Sequence, residues 1–100
     1  LTPSGEIDQD LVKKLLEHFA AEGCSFFCSY PGEIEPDYFG PDPKEAYEAL
    51  TACDEMCCAI FDKDNHRIGW FFVVLENGQP ELVDHTVNNP VSKWIDENEV

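Results

Sequence analysis

The segment "FDKDNHRIG", residues 61–69, sets two carboxylates one residue apart, Asp62 and Asp64, ahead of Asn65 and His66. Oxygen donors at that spacing open calcium loops, where positions 1, 3 and 5 supply ligands, a glycine at 6 makes the turn and a glutamate at 12 closes the shell. Counted from Asp62, position 5 is His66, position 6 is Arg67 and position 12 is Val73. Three defining positions fail. Asp, Asn and Lys between two apolar runs are also the ordinary makings of a polar hairpin turn. The segment reads as a turn, without a metal.

The cysteines are the next candidates: Cys24, Cys28, Cys53, Cys57 and Cys58. Their three-residue gaps imitate a four-thiolate zinc set, but structural zinc favours two-residue gaps at a tight turn. "CSFFCSY" alternates as a strand does, which would put Cys24 and Cys28 about 13 Å apart, too far to share one ion. The odd count argues against a disulfide framework, so the thiols read as reduced, small and buried. A nucleophilic cysteine would need His18, His66 or His85 beside it, and no motif specifies such a pair. In "VDHTVNN", Asp84 and His85 are neighbours on a strand and point to opposite faces, so Asp84 does not orient His85. Paired carboxylates carry no signal where 21 acids occur in 100 residues. No glycine-rich phosphate loop occurs. The expectation is a non-enzymatic chain with no metal and no cofactor.

The formal charge is −15 on 11.3 kDa. A folded chain of this mass exposes roughly 5,700 Å², or about one net charge per 380 Å². Duplex DNA, taken as a cylinder, shows roughly one per 110 Å². The average surface is thus far more dilute than DNA, yet acidic enough to repel nucleic acid and anionic membranes. A basic protein partner is favoured. The longest apolar run, Ile68 to Leu75, is strand length and well short of the roughly 20 residues of a membrane span. The beginning, "LTPSGEIDQD", lacks the basic region and apolar core of an export signal, so a cytoplasmic setting is expected.

These residues must be positioned by a small set of elements. "DQDLVKKLLEHFAAEG" repeats apolar residues at 11, 12, 15, 16 and 19, which predicts a helix capped by Asp8 or Asp10 and ended by Gly23. A strand follows over 24–30. Residues 31–43 hold four prolines and two glycines and predict no regular element. "DPKEAYEALTACD" predicts a second helix, with Asp42 as cap, Pro43 at the first position and Glu45 completing a capping box. Three strands then form a meander near 57–61, 68–75 and 81–87, with Asn77-Gly78 as the second turn. The middle strand is apolar at nearly every position, which predicts cover on both faces. Gly69 signals a bulge or a close approach. Asn89 and Pro90 open a last short helix whose final five residues should fray. The fold class is α+β: one domain over 1–100, an antiparallel three- to four-stranded sheet (meander at 57–87) with two to three helices packed on it.

On that frame the acidic loop is the favoured contact patch: Glu33, Glu35, Asp37, Tyr38, Phe39 and Asp42, carboxylates around two aromatic anchors. The expected function is a small acidic protein-binding domain. Within that class the charge favours an inhibitor of a basic, nucleic-acid-handling partner, as immunity and counter-defence proteins are. Two alternatives come from other classes. One is a small-molecule module with an apolar pocket between sheet and helices, lined by Tyr47, Trp70, Phe72 and His85. The other is an enzyme using a cysteine or histidine. A homodimer through an exposed edge strand, 24–30 or 81–87, also fits the pattern, with the charge opposing it.

Overall fold

The computed structural model describes the backbone of residues 4–98 and the side chains of 11–98. In chain order the elements are α1 (Ser4–Ala21), β1 (Ser25–Ser29), β2 (Tyr38–Gly40), α2 (Pro43–Leu50), β3 (Glu55–Phe61), β4 (Arg67–Glu76), β5 (Gln79–His85) and α3 (Pro90–Asn98). The five strands form one antiparallel sheet in the order β2-β1-β3-β4-β5. The α+β class and the meander stand. The sheet has five strands rather than three or four, because Tyr38–Gly40 pairs with β1 inside the proline-rich segment. That pairing makes β1 an interior strand, so residues 24–30 are not a free edge. The free edges are the three-residue β2 and β5.

Local chemistry explains most element ends. α1 closes with Gly23 at φ +89, where the Cys24 N–H reaches Phe19 O at 3.0 Å and the Gly23 N–H reaches Ala20 O at 3.0 Å. This paired closure satisfies carbonyls that the helix end would otherwise orphan. Every described residue from Ser4 to Ala21 is helical, so Asp8 and Asp10 lie within the helix rather than capping it. Asp42 does cap α2, its Oδ1 accepting from the Lys44 N–H at 2.9 Å. The second half of the expected box is replaced: the Asp42 N–H donates to the Tyr38 hydroxyl at 2.9 Å, not to Glu45. Asn77 (φ 53) and Gly78 (φ 77) form the two-residue turn that such residues favour. At α3 the Asn89 Oδ1 accepts from the Ser92 N–H at 2.8 Å, and the Ser92 Oγ accepts from the Asn89 N–H at 3.1 Å. The helix runs to Asn98, so Asp96 to Asn98 are helical; the last two residues lie outside the described range.

All three helices lie on one face of the sheet. Val12, Leu15, Leu16 and Phe19 of α1, Ala46 and Leu50 of α2, and Val91 and Ile95 of α3 share one cluster with Phe26, Cys28, Met56, Cys58, Ile60, Phe71 and Val73 of the strands. Full burial of a Leu, Ile or Phe contributes roughly 1.5–3 kcal/mol, so this face holds the fold together. α3 comes so close to β4 that a Cβ on Gly69 would overlap Val91. Both signals read into Gly69 are present, since the register also shifts beside it, between Ile60 and Phe61.

β4 corrects one expectation. Its burial alternates along the strand, with Gly69, Phe71 and Val73 buried and Trp70, Phe72 and Val74 only partly so. It is apolar on both faces, and among the described residues the helices cover one. Among the described residues no helix is long and apolar enough to cross a membrane.

Candidate functional site on the open face of the sheet

Strand pairing fixes which side chains share the uncovered face, because directly opposed residues point the same way. One row reads Phe39, Phe27, Ala59 and Trp70 across β2, β1, β3 and β4. The next reads Ser29, Cys57, Phe72 and Asp84, the last on β5. A third carries Glu55, Val74 and Glu81. At the opposite end lie Ser25, Phe61 and Arg67.

Five aromatic side chains therefore stand on this face. Phe39 lies 5.7 Å from Phe27 and 6.0 Å from Phe61, centroid to centroid. Trp70 and Phe72 stack at 6.3 Å with planes 5° apart. Phe39 is 52% exposed. In their midst the small side chains Ser29, Cys57 and Ala59 leave a hollow of about 240 Å³, walled by Phe27, Phe61 and Trp70 with Arg67 at one end. The charges are sorted along the strands: Arg67 at one end, Glu55, Glu81 and Asp84 at the other and along β5.

Cys57 sits in this hollow. Burial pushes its thiol up, the Trp70 side chain beside it pulls part-way back, and the Glu55 carboxylate adds to the rise. Burial likewise raises Cys24, helped by Glu22 and Asp62, and raises Cys58 strongly. An activated nucleophile needs the opposite direction. The histidines are engaged locally. His18 packs 5.7 Å from Trp94 with the rings tilted by 30°, and lies 3.4 Å from Glu22. His85 Nδ1 is 2.8 Å from Thr86 O, and His66 lies 3.9 Å from Asp62.

The acidic loop does not present the patch its sequence suggests. Glu33, Glu35 and Asp37 are exposed, and Ile34 at their centre is 91% exposed. Tyr38 and Phe39, however, are successive residues of a strand and diverge. Tyr38 turns to the helix side, packs against the core and holds the cap of α2. Phe39 alone joins the open face. Asp42 is occupied as a helix cap. The alternative pocket is divided by the same alternation. Tyr47 packs against the helix-side core, and His85 pairs with Phe71 on that side, while Trp70 and Phe72 stand on the open face. The four line no common cavity.

The 62–66 segment is a turn. Asp62 Oδ1 accepts from the N–H groups of Asp64 and His66, both at 2.9 Å, and Asn65 adopts φ 66. Its carboxylate thus serves the backbone. Among the described residues no cluster of three or more His, Cys, Asp or Glu could hold a metal ion.

Sequence reasoning singled out Trp70, Phe72 and Phe39 for other sites, and it missed Phe27, Phe61, Arg67 and the small floor. The signal was present in the apolar residues at both parities of β1, β3 and β4. Comparison with protein-family models, with curated proteins and with solved structures finds no match to this chain.

Proposed function

We propose that this chain is an acidic, non-enzymatic protein-binding domain that docks a basic partner on the open face of its sheet. One observation carries the reading: five aromatics share a face that, among the described residues, no helix covers, with carboxylates at its border. A buried aromatic covers 150–250 Å² and dominates interface energetics, so a contiguous group of them left open marks a contact surface. The net charge of −15 steers a basic protein toward it and repels nucleic acid. Within this class the charge favours an inhibitor that covers the basic working surface of a nucleic-acid-handling protein.

The test is capture from the source lysate with elution along a salt gradient, followed by affinity measurements on the captured protein. Trp70→Ala and Phe72→Ala should each weaken binding at least tenfold. Neutralising Glu33, Glu35 and Asp37 together should change it far less. The reverse ranking would return the contact to the acidic loop.

A further inference from the structure

Resting on that reading, we infer that the open face receives a basic amphipathic α-helix of the partner, laid along β3 and β4. One apolar side chain seats in the hollow over Ala59, and cations fall over Glu55 and Glu81.

The edges of the sheet do not invite a strand. β2 is three residues long. β5 carries Pro80, and its register shifts between Phe72 and Val73 so that Val83 is left unopposed. Proline and bulges are what keep an edge from templating another strand. The face offers side chains rather than backbone, and the layers that pack on a sheet face are helices or another sheet. A second copy is opposed by charge, since each chain carries −15. The hollow, at about 240 Å³, falls below the roughly 300–1,000 Å³ of small-molecule pockets and suits a single side chain.

Spacing supports a helix. Along β3, Cys57 lies about 7 Å and Glu55 about 13 Å from Ala59, at strand rise. On a helix, residues four and seven positions beyond an anchor lie about 6 and 10.5 Å away on the same face. The first falls over Cys57 and Phe72. The second, if lysine or arginine, reaches Glu55 and Glu81. Arg67 at the far end rejects a cation there, so the lysines of the helix can lie only at the Glu55 end.

The probe is a synthetic helical peptide with leucines four residues apart and lysines seven and eight positions after the first leucine. Its control has glutamates for the lysines. Binding is read by Trp70 fluorescence in the Trp94→Phe protein and by protection of Cys57 from alkylation, located by mass spectrometry. At low ionic strength the lysine peptide should bind at least tenfold tighter than the control and slow Cys57 alkylation at least tenfold. Ala59→Leu, which fills the hollow, should abolish both effects. Failure of the lysine peptide to bind, equal binding of the two peptides, or a concentration-dependent dimer that already shields Cys57 would each overturn the inference. If a captured basic protein shields Cys57 where the peptide does not, the helix is wrong and the docking face stands. If that protein binds and leaves Cys57 alkylation unchanged, the docking face falls as well.

Discussion

Cys28 and Cys58 face each other across β1 and β3 with their sulfurs 4.0 Å apart, buried on the helix side of the sheet. The backbone explains the closeness. The Cys28 carbonyl turns toward β2, accepting from the Asp37 N–H at 2.8 Å. In β3 the alternation set by Asp54, whose carbonyl accepts from the Leu75 N–H, turns Cys58 toward β4. The two residues are therefore a non-hydrogen-bonded pair, the kind whose side chains stand closest. Burial, then the bond to Cys28, raises the Cys58 thiol well above its ordinary value.

That rise makes the fold sensitive to alkali. Below an ordinary thiol pKa of about 8.5, folded and unfolded chains both keep the proton, and Cys58 adds no pH dependence. Above it the unfolded chain releases a proton that the folded chain retains, so stability falls by about 1.4 kcal/mol per pH unit for this group. Urea unfolding at pH 7.5 to 10 should show the decline, and Cys58→Ala should make it shallower whatever its offset, Cys24 and Cys57 keeping their share. An equal slope in the variant would contradict the assignment. In native protein a thiol reagent should modify Cys57 and Cys53 before Cys28 and Cys58.

Gly69 is the point at which α3 touches β4. Gly69→Ala should cost about 1–3 kcal/mol through overlap with Val91. Val91→Ala should recover part of that cost, giving a coupling of roughly 0.5 kcal/mol or more in a double-mutant cycle read by urea unfolding. Strict additivity would mean that the helix does not press on the strand at this point.

Asp62 separates a turn from a metal loop. Asp62→Ala removes the acceptor of two backbone N–H groups and should lower stability by about 1–2 kcal/mol. Asp62→Asn keeps an oxygen there and should lose less. Millimolar calcium should leave the melting temperature unchanged, and a rise with calcium would restore the metal reading.

Phe71 and Phe72 are neighbours on opposite faces. Phe71→Ala should cost about 3–5 kcal/mol, as a fully buried phenylalanine does. Phe72→Ala, on the uncovered face, should cost about 1 kcal/mol or less in the isolated chain. Equal costs would show that something covers both faces.

The same pair shows what the sequence discloses. Apolar residues at both parities of 68–75 announce two apolar faces, and only the placement of α1, α2 and α3 decides which one is covered. Asn77-Gly78 and Asn89-Pro90 are legible because the signal is local: left-handed backbone and a cap depend on the residues themselves. β2 is not legible, because Tyr38–Gly40 becomes a strand only through β1, ten residues earlier in the chain. The placement of Tyr38 and Phe39 follows from that. Without a strand, Tyr38 and Phe39 read as one patch. With one, period two sends them to opposite faces.

Strand order also dictates the sequence of assembly. β3, β4 and β5 are joined by short turns, while Cys28 of β1 must find Cys58 of β3 across 30 residues. Contacts of that separation form late. The meander should therefore protect its amides from pulsed hydrogen exchange before β1 does, leaving β3 for a time as a bare edge. During that interval nascent chains are most apt to join one another, and their shared negative charge then keeps them apart until β1 arrives.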